Sequence, residues 1–367
     1  MENILMRFIE EKESKIEIRE GLIEDIGHHL TSLFENKKVF VITNPQVKYL
    51  HGEKLISGFS RYRIQSKFIE IPDGEKYKSL STASDIFDFL LNEKADRTTV
   101  LISFGGGVIG DLAGFVASTY MRGIPFIHVP TTLLAQVDSS IGGKVAVDHP
   151  AAKNIIGSFY HPRAIFIDPL VLKTLTLEHL KNGLAEIIKI AIVDSSSLFT
   201  LLDKAIPQVL EKNMEIIPSI IWKAAKLKTQ LVLLDPKEKN QRKFLNFGHS
   251  IGHALEAIFG YQKLSHGEAV ALGMLMETKI ARVRGICSQD LENKIISIIK
   301  KLNISFKITL TNIHHEKIWE KIAYDKKNKQ ERICFILPGK IGKVHIVEDI
   351  KKKEVIEAIE EFKKEGI

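Results

Sequence analysis

The chain has 367 residues, 44% of them hydrophobic and 26% charged, with a formal net charge of +7. That length accommodates two domains with sizeable cores, and the balance of apolar and charged residues excludes a disordered chain; two distant cysteines, Cys287 and Cys334, exclude a disulfide scaffold. The positive balance does not read as a nucleic-acid surface, because the lysines are interspersed with glutamates and no DNA- or RNA-binding motif is present, whereas the same potential suits an anionic small substrate.

Residues 4 to 19 read as two short strands, Leu5, Phe8 and Ile9 before a charged turn and Ile16 and Ile18 after it. The N-terminal stretch carries acids early and has no apolar leader segment, and no run of about eighteen uncharged apolar residues occurs. A cytoplasmic location is therefore expected. Val39 to Ile42 form the first buried strand, ending at Thr43, Asn44 and Pro45, and Phe68 to Ile71 form the next. The loop after it, Pro72, Asp73, Gly74, Glu75, Lys76, Tyr77 and Lys78, mixes acids, glycine and lysines. Apolar positions between Ser79 and Asn92 fit an amphipathic helix.

Val100 to Phe104 is an apolar run that stops at Gly105, Gly106 and Gly107, as a buried parallel strand entering a tight turn would. Glycines there let an anion approach backbone amides, and helical spacing from Asp111 to Tyr120 aims a helix N-terminus at the same turn. GGGVIGD is a variant nucleotide-binding turn: Gly105, Gly107 and Gly110 match the GxGxxG spacing, but no acidic residue closes a following strand. A further strand, Phe126 to Val129, ends at Pro130, Thr131 and Thr132. Asp138, Ser139, Ser140, Gly142, Gly143 and Lys144 then crowd an acid, hydroxyls and a cation into seven positions, a density typical of a site. Ala164 to Ile167 is the last strand before Asp168 and Pro169.

Alternating strands and helices predict an α/β nucleotide-binding domain over 1–168 with a doubly wound, mainly parallel sheet. Residues 169–367 read as a mainly α-helical domain. Its helices fall over 178–193, 196–212, 214–234, 247–259, 266–285 and 288–302, followed by a hairpin at Arg332 to Leu337 and Lys343 to Ile346 and a terminal helix with Val355, Ile356, Ile359 and Phe362 on its apolar side.

His249 and His253 are four apart, hence one turn apart on one helical face, and His266 opens the next helix. Three histidines within eighteen positions, with Glu186 as the best carboxylate in an apolar setting, fit a metal site with three protein ligands and one open position. Lys189 follows Glu186 near the same buried face.

Together these stretches resemble the 3-dehydroquinate synthases, sugar phosphate cyclases of the shikimate pathway. The resemblance covers nearly the whole chain and rests on DGEKYK, GGGVIGDLAGF, PTTLLAQVDSSIGGK, KNIIGSFYHP, NGLAEIIK, LNFGHSIGHALE and SHGEA. It implies NAD+ held by Asn44, by the loop Asp73, Gly74, Glu75, Lys76, Tyr77 and Lys78, and by the turn Gly106, Gly107, Val108, Ile109, Gly110 and Asp111. Thr131, Thr132, Asp138, Lys144, Lys153, Val171, Leu172, Lys173 and Thr174 match further dinucleotide positions. Glu186, His249 and His266 match the ligands of Zn2+ or Co2+, which leaves His253 as a substrate contact. Asp138, Lys144, Lys189, Lys228, Arg242, Asn246 and His253 match catalytic positions, and Asn154 with Lys326 or Lys327 matches substrate contacts. Arg122 matches a residue that reaches the neighbouring subunit's phosphate site, implying a homodimer.

The implied reaction converts 3-deoxy-D-arabino-heptulosonate 7-phosphate to 3-dehydroquinate and phosphate through transient oxidation by NAD+, phosphate elimination, re-reduction and an intramolecular aldol closure. One departure is visible: after Asp235 the family usually has glutamate, whereas this chain has Pro236 and its next acid is Glu238. Competing expectations are a related cyclase such as 2-deoxy-scyllo-inosose synthase, a polyol dehydrogenase of the glycerol dehydrogenase type, and, last, a noncatalytic nucleic-acid-binding protein. Arg242 and Lys153 favour a substrate bearing a carboxylate.

Overall fold

The computed structural model describes residues 13–34, 38–150, 152–260, 263–304, 315–328 and 333–365. The expected strand with Leu5, Phe8 and Ile9 lies outside them. The chain divides into two compact units, one of Met1–Thr131 with Gly142–Asp168 and one of Thr132–Ile141 with Pro169–Ile367.

The first unit is built on six parallel strands: β1 (Lys15–Ile18), β2 (Lys38–Thr43), β3 (Gln65–Glu70), β4 (Val100–Gly105), β5 (Phe126–Pro130) and β8 (Ala164–Ile167), in the order β1-β8-β5-β4-β2-β3. The central strands β4, β5 and β8 are buried throughout and mostly apolar because helices cover both faces of such a sheet. On one side α3 (Leu80–Asn92) and α4 (Gly107–Thr119) bury Ile86, Leu90, Leu112 and Val116 with Phe40, Ile42 and Phe126. Two further helices, α1 (Leu22–Leu33) and α2 (Pro45–Ser60), pack on each other and bury Ile26, Leu30, Leu55 and Phe59. The sheet order reverses between β2 and β4, so their carboxyl ends form the topological switch point, where open α/β sheets take ligands.

Two local features differ from the sequence expectation. Helix α4 begins at Gly107 rather than Asp111, and Gly106 is its N-cap, so the glycine turn is itself the first turn of the helix. The turn and the helix are closely packed: a Cβ on Gly105 would lie 2.8 Å from Ile109 Cβ, and one on Gly114 2.3 Å from Val145 Cγ1. A hairpin of β6 (Lys144–His149) and β7 (Ala152–Phe159) packs on α4 where the sequence pattern predicts no strands. Most β7 side chains are exposed or half-buried, so no apolar alternation marks it.

The second unit is mainly helical: α5 (Leu177–Asp194), α6 (Ser196–Leu210), α7 (Ile217–Leu234), α8 (His249–Ile258), α9 (His266–Val283), α10 (Gln289–Lys300), α11 (His315–Asn328) and α12 (Lys352–Glu365), with an antiparallel hairpin β9 (Phe335–Lys340) and β10 (Lys343–Val347). Helices α5 and α9 are its core, buried from Gly183 to Val193 and from Ala269 to Ala281. Helix α8 meets α9 backbone to backbone, since a Cβ on Gly273 would come within 1.9 Å of the Gly248 carbonyl oxygen. The terminal helix docks through Val355, Ile359 and Phe362, all buried, and Arg284 reaches Glu354 at 2.5 Å and Asp349 at 2.6 Å. Among the described residues no helix is long and apolar enough to cross a membrane.

Candidate functional site

In the first unit, the residues expected to hold NAD+ gather at the carboxyl ends of the parallel strands. Asn44, directly after β2, accepts from the Val47 N–H at 2.7 Å, capping α2, and its amide donates to Asp73 beyond β3. An aspartate at 44 would set two carboxylates against each other. Glu75 pairs with Lys153 at 3.2 Å, and buried Lys78 pairs with Asp111 at 2.6 Å while also touching the side chain of Asn154. The loop 73–78, helix α4 and the β6–β7 hairpin are thereby tied together. Burial opposes the charge of Lys78, but Asp111 and Glu75 outweigh it and leave its pKa raised.

The fit of a dinucleotide rests on unmet polar groups. Helix geometry leaves the amides of Gly107, Val108 and Ile109 without intrahelical acceptors at the positive end of α4. Thr131 Oγ1, at the end of β5, is buried and has no hydrogen-bond partner among the described residues. Arg122, by contrast, stands exposed on a turn with φ 67°. Lys144 begins β6 with its side chain exposed.

In the second unit, α5 places Glu186 and Lys189 one turn apart, with Glu186 wholly sealed from solvent and Lys189 2% exposed. Helix α5 also holds the start of α9: the Asn182 side-chain oxygen accepts from the Gly267 N–H at 3.1 Å, and Ser265 and Glu268 close a capping box. Residue 267 must be glycine, since a Cβ would fall 2.4 Å from Asn182 Cα. His266, the first residue of α9, therefore lies over Glu186, with its Nε2 3.1 Å from Glu186 Oε1. His249 opens α8 and brings its Nε2 to 3.5 Å from the same oxygen. Lys189 pairs with the other oxygen, Oε2.

These three side chains fit a divalent metal. Ligand atoms bound at about 2.0 Å to a tetrahedral ion lie about 3.3 Å apart, close to the 3.1 and 3.5 Å separations, and all three potential ligand atoms lie within 4.8 Å of one another. Both rings turn Nε2 to the carboxylate and Nδ1 to an acceptor, the Phe247 carbonyl at 3.1 Å for His249 and Glu256 at 3.4 Å for His266. Burial would raise the Glu186 carboxyl, but Lys189, His249 and His266 hold it well below the usual range. Burial and Lys189 push the His249 ring down, favouring the neutral form a metal requires. Burial opposes a proton on His266, yet Glu186 and Glu256 overcome it and push its pKa up to about 10, a measure of the negative potential there.

Around this cluster, Asp138 on a π-helical turn (Ala135–Ser139) pairs with Lys228 of α7, whose Nζ also donates to the Asp138 carbonyl at 2.7 Å. Burial would raise the Asp138 carboxyl, but Lys228 and Lys189 hold it low. Arg242, 3% exposed, stands on the turn Gln241–Asn246. The loop carrying Pro236 closes on itself: Asp235 accepts from the backbone N–H groups of Lys239, Asn240 and Arg242, and Arg242 Nη1 donates to the Pro236 carbonyl at 2.7 Å. Glu238 accepts from the Asn246 amide at 2.9 Å, so the delayed acid touches a predicted site residue.

His253 is exposed, its ring centroid 5.0 Å from that of His249. Thr132, Val171, Leu172, Lys173 and Thr174 also belong to this unit; Thr132 Oγ1 accepts from the Ala135 N–H, and Thr174 Oγ1 donates to the Val171 carbonyl. Lys326 and Lys327 lie on α11, and their side chains fall outside the described residues.

Residues 68–182 match the family described as 3-dehydroquinate synthase N-terminal, and 183–328 match 3-dehydroquinate synthase C-terminal. The chain belongs to the 3-dehydroquinate synthase family. It is 40% identical over 365 residues to the 3-dehydroquinate synthase of Crocosphaera subtropica, covering 99% of this chain and 100% of that one. It is 42% identical to that of Dehalococcoides mccartyi strain 195, over 96% and 97% of the two chains. Among solved structures, 2-epi-5-epi-valiolone synthase from Streptomyces hygroscopicus with NAD+ and Zn2+ bound aligns with TM-score 0.90 at 25% identity, over 99% and 100% of the chains. A 2-deoxy-scyllo-inosose synthase complexed with carbaglucose-6-phosphate, NAD+ and Co2+ aligns with TM-score 0.82, also at 25% identity, over 94% and 96%. Glycerol dehydrogenase from Schizosaccharomyces pombe, at TM-score 0.66 and 18% identity over 98% and 93%, shares the fold.

Beside the residues that this family's motifs single out, the structure adds Asn182 and Glu256 to the surroundings of the cluster and sets Glu238 against Asn246. Asn182 and Glu256 stood inside the quoted stretches NGLAEIIK and LNFGHSIGHALE, yet nothing in spacing marks a side chain that acts on a neighbouring helix.

Proposed function

We propose that the chain converts 3-deoxy-D-arabino-heptulosonate 7-phosphate to 3-dehydroquinate and phosphate, with NAD+ and a divalent metal, Zn2+ or Co2+, in the shikimate pathway. The observation that carries this is the convergence of Glu186, His249 and His266 in a chain of this family. Bound NAD+ supplies a reversible hydride acceptor, and the metal supplies a Lewis acid for the sugar's oxygens. Glu186, His249 and His266 hold the metal, and the amides of Gly107 to Ile109, with Asn44, Asp73, Thr131 and the loop to Lys78, hold the dinucleotide. Asp138, kept ionised beside Lys228, suits a hydrogen bond accepted from a hydroxyl of the sugar. Arg242, fixed by Pro236 and rich in donors, suits the substrate carboxylate. Lys189, Asn246 and His253 are the further candidate contacts of the second unit, and Lys144 and Asn154, on the β6–β7 hairpin, those of the first.

The enzyme works as a cytoplasmic homodimer in this reading, supported by the exposed position of Arg122, as a residue that reaches a neighbouring subunit must be. The test is phosphate release from the heptulosonate phosphate with catalytic NAD+, comparing chelated enzyme with enzyme given back Zn2+ or Co2+, while absorbance follows NADH. Metal-dependent phosphate release without net NADH is expected. Stoichiometric NADH, or turnover of glucose 6-phosphate in place of the heptulosonate, would assign the chain to dehydrogenase or inosose-forming chemistry instead.

A further inference from the structure

His266 faces two carboxylates with its two ring nitrogens, Nε2 at 3.1 Å from Glu186 on α5 and Nδ1 at 3.4 Å from Glu256 on α8. An imidazole gives a lone pair at one nitrogen only when its proton sits on the other, so whichever edge takes a metal, the opposite edge needs an acceptor. His249 meets that need with the neutral Phe247 carbonyl; His266 meets it with a carboxylate that is itself 7% exposed. A buried charge of that kind fixes ring orientation and tautomer and makes the ligating nitrogen more basic.

Geometry alone also allows Glu256 to be a ligand, because His253, Glu256 and His266 form a second group whose donor atoms lie within 4.8 Å. Two observations favour the first group. Glu186 is sealed from water and answers both His249 and His266, whereas His253 is exposed. Metal on Nδ1 of His266 would also leave Nε2–H as the group facing Glu186 and leave His249 Nε2 outside the coordination shell. We infer that Glu256 is a positioning residue that holds His266 as its Nδ1–H tautomer with Nε2 turned to the metal. This inference rests on the reading of Glu186, His249 and His266 as the metal ligands.

The test measures Zn2+ and Co2+ affinity by chelator competition, with the visible spectrum of bound Co2+, on metal-stripped full-length protein without NAD+ or substrate. Glu256→Ala is expected to weaken binding about 10–100-fold, while one ion per chain is still taken up. Glu256→Gln, which keeps an acceptor oxygen, is expected to recover part of the loss, and His253→Ala to bind like the parent. Selective nitrogen labelling of histidine in the Zn2+-loaded parent, which depends on no variant folding, should place the His266 proton on Nδ1. Parent-like affinity in Glu256→Ala, or a proton on Nε2, overturns the inference while loss of binding in Glu186→Ala leaves the metal site standing. Equal losses in Glu256→Ala and His253→Ala with none in Glu186→Ala make Glu256 a ligand of the other group. Parent-like binding in both Glu186→Ala and His249→Ala removes the metal reading itself.

Discussion

An imidazole buried without a carboxylate beside it is held neutral, and His128 on β5 is such a ring, 4% exposed, with Ser103 Oγ 2.7 Å from Nδ1. Burial lowers its pKa to about 3. It also packs under the glycine turn, since a Cβ on Gly110 would lie 3.2 Å from its Cε1. In the unfolded chain the ring takes a proton near its ordinary value of about 6.5. Between those values the unfolded state binds the extra proton, so the ring's contribution is fully present above pH 6.5 and drains away as pH falls toward 3. The slope is about 1.4 kcal/mol per pH unit, or about 2 kcal/mol by pH 5. His128→Asn keeps a hydrogen-bonding atom for Ser103 and does not titrate. Urea unfolding of parent and variant from pH 7.5 to 5 should show a lower starting stability in the variant, through lost packing, and a flatter fall; parallel slopes would refute the buried neutral ring.

Helices bring the cluster together by capping one another. Helix α8 starts at Gly248, whose φ of 79° is a left-handed conformation and which has no side chain to cap the helix; the missing acceptor comes from α9, where sealed Glu277 takes the Gly248 N–H at 2.7 Å and the Ile251 N–H at 3.4 Å. A carboxylate at a helix N-terminus is also favoured by the helix dipole. Glu277→Gln turns an amide donor toward one of those N–H groups and removes the charge, so a loss of about 1–3 kcal/mol is expected in urea unfolding of metal-stripped protein. Metal affinity should fall with it as His249 loosens, and an unchanged midpoint would show that α8 needs no such cap. Capping also marks the limit of what the sequence tells. The central strands and most helices of the second unit were legible because their burial pattern is written in their own apolar period, as were the donor types of Glu186, His249 and His266. The start of α4 was not, because glycines carry no helical signal even where a helix N-terminus needs them. Nor was the β6–β7 hairpin, whose outer strand is mostly exposed, nor Glu256 and Glu277, whose partners lie on other helices.

At the scale of the whole chain, the groups suited to NAD+ and to metal are mostly assigned to different units, the glycine turn and the loop 73–78 to the first and Glu186, His249 and His266 to the second. A ligand that binds only the folded form of a unit stabilises it by RT ln(1 + [L]/Kd), about 2.7 kcal/mol at one hundred times Kd. Amides that exchange by opening that unit should then slow by about 100-fold, while amides that exchange without disturbing the ligand's contacts should not respond. Hydrogen exchange of chelated enzyme, with Zn2+ alone and with NAD+ alone, separates the two assignments. Zn2+ should protect the middle of α5 and the starts of α8 and α9, because Glu186, His249 and His266 lie there. NAD+ should protect the end of β2, the loop 73–78 and the first turns of α4, with the turn Pro169–Thr174 as the second-unit element that the family's dinucleotide positions also include. Zn2+ protection confined to α8, without α5, would shift the ion to the His253, Glu256 and His266 group. NAD+ protection that bypasses α4 would mean that its free amides and the unpaired Thr131 hydroxyl are not where the dinucleotide binds, and the glycine turn would then serve only packing, of Gly105 on Ile109 and of Gly110 on His128.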